Sequence, residues 1–80
     1  MNKIDYIGEI IRFHRKRAGL TQKQLATLAG VGKTVVFDIE QGKSSVRLST
    51  LLAVVSVLNI TLEPESSLMG EWHREKMKGS

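Results

Sequence analysis

Residues 20–42 constrain the fold of this chain more than any other stretch of its sequence. Thr21 followed by Gln24 is a capping box: the threonine hydroxyl accepts the amide of Gln24, and the glutamine side chain accepts the amide of Thr21. A short helix is therefore predicted over residues 22–29. The residues that share its apolar face are Leu25, Ala26 and Ala29.

A tight turn and a second short helix follow. Gly30 can adopt the left-handed conformation that ends a helix, Val31 places an apolar side chain between the helices, and Gly42 stops the second helix. We predict this second helix over residues 33–41. Two helices joined in this way form a helix-turn-helix, whose second helix fits the major groove of DNA. Its inward residues are Val36 and Ile39, and its outward residues are Lys33, Thr34, Phe37, Asp38 and Gln41.

The chain resembles the Cro/repressor or XRE family of phage repressors and bacterial regulators over about residues 7–60. Two positions depart from the family pattern. Gly32 replaces the usual Ser or Thr before the recognition helix, which weakens that helix cap by a few tenths of a kcal/mol. Phe37 replaces a small polar residue and therefore changes the DNA-reading face. The stretches that match at the family's spacing are residues 11–15, 19–22, 25–26, 29–31, 36 and 39–42.

The resemblance implies roles in binding the DNA backbone. Gln22 matches the glutamine that contacts a phosphate, where the free amides and the dipole of its helix also favour an anion. Lys43 and Ser44, just past the recognition helix, are expected to contact the next phosphates. Arg15 and Glu40 match a family pair that ties the first helix to the recognition helix.

The same resemblance places four residues at base-reading positions. Lys33 suits guanine acceptors, Thr34 and Phe37 suit a thymine methyl group, and Asp38 suits a cytosine amino group. Each residue also has a purely structural interpretation. Phe37 could be a core or dimer contact, Asp38 could pair with a nearby lysine, and Gln22 could be an ordinary first-turn residue.

The distribution of charged residues along the chain agrees with a nucleic-acid partner. The chain has a net charge of +4, and residues 1–43 carry all of this excess, with eight Lys or Arg against four Asp or Glu. A phosphate-binding surface requires such an excess, although ordinary solvated helices can show it too. Residues 44–80 are balanced, with four residues of each sign.

Enzymatic and metal-binding functions have little support in the sequence. There is no cysteine, and neither His14 nor His73 has a carboxylate at ligand spacing, so we expect no catalytic residue, metal or cofactor. The longest apolar run, residues 51–58, is far too short to span a bilayer. These features, with no visible signal peptide, lead us to expect a cytoplasmic, nucleoid-associated protein without membrane contact.

The predicted fourth helix, about residues 47–58, indicates a dimer. It follows a first helix at about residues 6–17, and it is apolar around nearly its whole circumference. Such a helix needs cover on more than one side, so we expect an isologous homodimer. The alternative is that this helix is simply the central core helix. The residues predicted to form the dimer interface are Leu51, Val54, Val55, Leu58, Ile60, Thr61 and Leu62.

A short β-branched segment at residues 60–63 precedes Pro64 and is predicted to be a strand. In an all-helical domain it has no partner, so two copies are expected to pair their strands across a two-fold axis. A small repressor domain followed by such a strand resembles the HipB-like antitoxins, which implies a HipA-like kinase toxin as partner. Residues 64–80 are predicted to be a flexible tail in which Trp72 could bind a partner.

The predicted fold is an all-α, four-helix, lambda-repressor-like DNA-binding domain over residues 1–63, with a short C-terminal strand pairing across the dimer. The predicted function is sequence-specific repression of transcription at a palindromic double-stranded DNA operator, as the antitoxin of a HipA-like toxin–antitoxin operon. Two alternatives remain: a stand-alone phage or restriction-modification regulator, and a protein-interaction subunit that no longer binds DNA.

Overall fold

Capping and turn residues divide the chain into short helices. The structure, a computed structural model, describes the backbone of residues 3–79 and the side chains of residues 6–79. Within residues 3–79 every regular element is helical, which confirms the predicted all-α class. The five helices are α1 (Lys3–Arg17), α2 (Gln22–Ala29), α3 (Lys33–Glu40), α4 (Leu48–Val57) and α5 (Met69–Gly79).

The boundaries of α2 are those predicted from its capping residues. The amide of Gln24 donates to Thr21 Oγ1 at 3.0 Å, and the amide of Thr21 donates to Gln24 Oε1 at 2.8 Å. Gly30 ends the helix with φ +69°. These three residues satisfy backbone groups at both ends of the helix that would otherwise lack partners.

The recognition helix α3 starts after Gly32, whose backbone is extended and which has no side chain to cap the helix. The helix ends at Glu40, one residue earlier than predicted. Gln41 is the C-cap, and Gly42 then takes φ +82°. The glycine that was predicted to stop α3 therefore lies one residue beyond its cap.

The core lies where α2, α3 and α4 meet α1. The side chains with no exposed area are Ile11, Leu25, Val36 and Val54, one from each of these helices. Ala26, Ile39 and Val55 are buried around them. The inward faces predicted for α2 and α3 are thereby confirmed, and the opposite face of α3 is left toward solvent.

Gly8 marks a close approach of the α1 and α3 backbones. A Cβ atom built on Gly8 would collide with the carbonyl oxygen of Ile39 and would crowd that of Glu40. A side chain at this position would therefore push the two helices apart. The absence of a side chain at Gly8 lets α1 lie directly against the C-terminal turn of α3.

The prediction that Val54 and Val55 lie at a dimer interface is wrong. Both are buried in the core of a single chain, at 0% and 3% exposure, so neither can reach a second copy. For these residues the alternative of a core helix is correct, because α4 turns this side toward α2. Leu48 and Leu52 are the exposed leucines of α4, at 68% and 45%.

The predicted strand at residues 60–63 is not formed in the single chain, and no strand occurs between residues 3 and 79. Asn59 takes φ +58°, and the amide of Ile60 donates to the Val55 carbonyl at 2.9 Å, which turns the chain away from α4. A strand requires a pairing partner, and the expected partner is a second copy. Strand pairing across a dimer therefore stays a prediction.

Helix α5 occupies most of the segment that was predicted to be a flexible tail. Its charged residues are strong helix formers, and Glu71 lies in its first turn, where a negative charge suits the helix dipole. None of its residues is buried. Among the described residues, no helix is long and apolar enough to cross a membrane.

Candidate nucleic-acid interface

The outward face of α3 presents a short row of polar and aromatic side chains to solvent. Lys33 and Thr34 are exposed in its first turn, and Phe37 follows one turn later at 50% exposure. They lie outside because Val36 and Ile39 hold the other face of the helix in the core. The structure thus places three of the four predicted base-reading side chains where a groove could receive them.

Asp38, the fourth, is partly covered by a neighbouring lysine. Lys43 Nζ lies 3.6 Å from Asp38 Oδ2, and the two side chains are 56% and 31% exposed. The lysine partner considered for Asp38 in the sequence is therefore present in the single chain. Such exposed pairs contribute little free energy, so both groups can change partners at small cost. Ser44, next in the chain, is exposed.

The two side chains expected to tie α1 to α3 meet in the structure. Arg15 Nε donates to Glu40 Oε2 at 2.6 Å, and Arg15 Nη2 donates to Glu40 Oε1 at 3.0 Å. The side chains are only 11% and 1% exposed. This two-pronged geometry matches the fork of a guanidinium to the two oxygens of a carboxylate.

A third side chain and a backbone carbonyl complete this network. Gln22 Nε2 donates to Glu40 Oε1 at 3.1 Å, and Arg15 Nη1 donates to the carbonyl of Leu20 at 2.9 Å. The network therefore joins α1, the start of α2 and the end of α3. No sequence pattern indicates the bond between Gln22 and Glu40, because the two residues are 18 positions apart and belong to different helices.

The contacts with Glu40 favour the charged form of Arg15. The hydrogen bonds to Glu40 raise the pKa of Arg15 above its ordinary value, and the charge of Glu40 adds to this effect against the opposing effect of burial. Arg15 is therefore positively charged wherever the protein is folded near neutral pH. Its charge balances Glu40, so the carboxylate adds no net negative charge beside Gln22.

The remaining candidates lie away from this surface. His14 Nδ1 bonds to the Ile10 carbonyl at 2.7 Å within α1, a local contact of the helix. Trp72, on α5, is 53% exposed and packs edge-on against His73. Among the described residues no group of three or more His, Cys, Asp or Glu side chains is arranged to hold a metal ion.

Comparison with known proteins shows that the helices forming this surface belong to a helix-turn-helix family. The sequence profile of the helix-turn-helix family matches residues 11–64, which include α2, α3 and α4. An uncharacterised HTH-type transcriptional regulator of Sinorhizobium fredii, y4mF, is 35% identical over 57 residues, which are 71% of this chain and 75% of that protein.

Two further relatives have more specific descriptions. The immunity repressor of Bacillus phage phi105 is 38% identical over 65 residues, which are 81% of this chain but 43% of the repressor. The control protein C.SmaI of Serratia marcescens is 31% identical over 58 residues, which are 72% of this chain and 69% of that protein. The phage repressor is thus more than twice as long as the matched region.

Proposed function

Because this chain belongs to the XRE-type helix-turn-helix family, we propose that it is a sequence-specific DNA-binding repressor of transcription. The observation that carries the proposal is the exposed face of α3, with Lys33, Thr34 and Phe37 turned away from the core. A polar outer face alone is ordinary for a surface helix, but here the face belongs to the second helix of a helix-turn-helix and carries the half-exposed Phe37. The names of the phage immunity repressor and the HTH-type regulator support the same function.

In this proposal α3 enters the major groove. Lys33 donates to guanine acceptors, and Thr34 and Phe37 contact thymine methyl groups. Asp38 accepts from a cytosine amino group, for which it must give up its exposed ion pair with Lys43. Lys43 is then free to bind a phosphate, so the two changes accompany each other.

Phosphate contacts flank the recognition helix. Gln22 is the first residue of α2, where amides without helical partners and the helix dipole favour an anion. Lys43 and Ser44 lie beyond the other end of α3 and are exposed. Contacts at both sides of α3 would fix its depth and register in the groove without reading sequence.

Two substitutions test this division of roles. Against a DNA site selected from random sequence by the protein, Lys33→Ala should cost about 1–3 kcal/mol of binding free energy and relax the preference at one base pair. Gln22→Ala should weaken selected and random DNA alike. Lys76→Ala, an exposed lysine of α5, is the matched control and should leave binding nearly unchanged.

Equal affinity for selected and random DNA over a salt titration would contradict sequence-specific repression. A complete lack of DNA binding at low salt would favour the alternative of a protein-interaction subunit, since phosphate contacts alone give measurable binding under these conditions.

We also propose that the protein acts as a homodimer on a palindromic operator. Leu52, on α4, is 45% exposed, and Leu62, within the unpaired segment at residues 60–63, is 39% exposed. A shallow surface depression extends between α4 and this segment, lined by Leu52, Ile60, Thr61 and Leu62 among others. Pairing two such segments would cover both leucines and complete a short strand.

The narrower role, as the antitoxin of a HipA-like kinase toxin, is supported by α5. Trp72 is half exposed on a helix with no buried residue, as expected of a segment that binds another protein. If the role is correct, the protein should neutralise the growth arrest caused by a kinase encoded beside it, and Trp72→Ala should abolish this rescue. Rescue by the Trp72→Ala protein would contradict a role for this helix.

A further inference from the structure

We infer, on the basis of the proposed DNA binding, that Glu40 is a positioning residue that orients the side-chain amide of Gln22 toward a DNA phosphate. The carboxylate of Glu40 has no direct role at the DNA surface, because its side chain is only 1% exposed. Its influence passes instead through Gln22, which is only half-buried and whose side-chain amide bonds to Glu40.

The orientation follows from the hydrogen-bonding capacity of a primary amide. Its nitrogen carries two N–H donors and its oxygen is only an acceptor. A carboxylate can only accept, so the bond of 3.1 Å to Glu40 Oε1 requires Gln22 to turn its nitrogen toward Glu40. One N–H is used there, and the second remains available on a side chain that belongs to the first residue of α2.

Glu40 is itself held rigidly enough to impose this orientation. Two bonds from Arg15, at 2.6 and 3.0 Å, fix both carboxylate oxygens, and Arg15 is anchored in turn by its 2.9 Å bond to the Leu20 carbonyl. The guanidinium also balances the carboxylate charge, which would otherwise repel a phosphate. An amide oriented before DNA arrives loses less rotational freedom when it binds.

The test is a double-mutant cycle in DNA affinity between Gln22 and Glu40. Glu40→Gln retains the size of the side chain but replaces one carboxylate oxygen by an NH2 group, which can only donate. When the remaining oxygen accepts from Arg15 Nε, this NH2 group faces Arg15 Nη2 and the Gln22 amide nitrogen, so the bond to Gln22 is lost. The probe is a mixed-sequence DNA duplex at low salt, because phosphate contacts do not depend on sequence. Circular dichroism establishes that each variant is folded under the binding conditions, and Glu9→Gln serves as a matched carboxylate control outside the network.

We expect Gln22→Ala to weaken binding about tenfold in the wild-type background and less than about threefold in the Glu40→Gln background. A merely structural Glu40 would lower affinity by shifting or unfolding α3, and would leave the cost of Gln22→Ala unchanged. Equal costs in the two backgrounds, or no cost in the wild-type background, would overturn the inference while DNA binding stands. A wild-type protein that does not bind the duplex would instead overturn the proposed function.

A second measurement on the wild-type protein does not depend on the stability of any variant. In NMR spectra, one Nε2 proton of Gln22 should exchange with water more slowly than those of Gln41, an exposed glutamine at the end of α3. Adding the duplex should shift the resonance of the other Nε2 proton. Equal exchange at Gln22 and Gln41 in the free protein would overturn the inference.

Discussion

Burial determines how much each charged side chain contributes to the stability of this protein. Lys43 and Asp38 are separated by 3.6 Å, but both remain in contact with water, so their pair is worth little. Arg15 and Glu40 are largely removed from water and share two hydrogen bonds. Loss of one partner would leave the other charged and buried, which is far more costly than loss of an exposed pair.

We therefore predict that Glu40→Ala lowers the free energy of unfolding by about 3 kcal/mol, well above the ~0.2–1 kcal/mol of an exposed pair. Arg15→Ala should have a similar effect. Urea unfolding measures both, and the double variant should lose clearly less than the two single losses combined. Additive losses would show that the two side chains do not stabilise one another.

The pH dependence of the Arg15 contribution to stability follows from the raised pKa of this residue. A group whose pKa is higher in the folded state stabilises the protein fully at pH values below its pKa in the unfolded chain. This stabilisation is lost only as the pH rises through the pKa of the folded state. For an arginine this window lies at strongly alkaline pH. The Arg15 contribution should therefore stay constant when unfolding is followed from neutral to mildly alkaline pH.

Local signals were enough to predict α2 and α3 but not the surroundings of α4 and α5. The capping box at Thr21 and the left-handed Gly30 act within a few residues, so the ends of α2 can be read from sequence. The side of α4 that faces the core depends on where α2 packs, which no local pattern reveals. Residues 69–79 have mixed charges and no dense apolar stripe, so their helix was not predicted.

In the candidate site, too, some features can be predicted from local sequence and others depend on the packing of distant elements. The exposed face of α3 follows from its helical periodicity, and the pairing of Arg15 with Glu40 was expected from the family resemblance. The bond from Gln22 to Glu40 and the support from Leu20 depend on how three elements converge. They become visible only when the fold brings distant residues together.

The crossing of α1 and α3 supplies a prediction about these two elements. Gly8→Ala would place a methyl group against the carbonyls of Ile39 and Glu40, so the two backbones must separate. We expect a loss of about 1–3 kcal/mol in unfolding free energy, although alanine is the better helix former by itself.

Thermal unfolding measures the effect of this substitution. Gly70→Ala, at an exposed glycine of α5 whose added methyl group would meet only the end of the Arg74 side chain, is the matched control. It should be neutral or slightly stabilising. A Gly8→Ala protein as stable as the wild type would show that the backbones of α1 and α3 can separate at no cost in free energy.

For the molecule as a whole, the proposed two-fold dimer would determine how the protein binds DNA. Two recognition helices on a common axis would lie about 34–36 Å apart, which predicts half-sites separated by roughly one turn of DNA or a multiple of it. A dimer would contact two half-sites, whereas one domain alone would contact only one. Dimerisation and operator affinity should therefore change together.

Thr61→Pro tests this coupling, because proline removes a backbone donor from the segment expected to pair. The dimer should weaken and operator affinity should fall with it, while circular dichroism shows an unchanged helix content. Glu65→Pro, outside the predicted strand, is the control and should leave the dimer intact. Sedimentation of the wild-type protein as a monomer at micromolar concentration would contradict the dimer.

The direct contact of two backbones at Gly8 has a consequence for how such a protein can change. The angle of α3 depends on this backbone contact, on the buried Val36 and Ile39 and on the bonds between Arg15 and Glu40, all of which lie on the side of α3 away from its outward residues. Lys33, Thr34 and Phe37 can therefore be exchanged for residues that are compatible with a helix while the packing that positions α3 is retained. A library randomised at these three positions, with proline excluded, should yield folded variants with new target sequences.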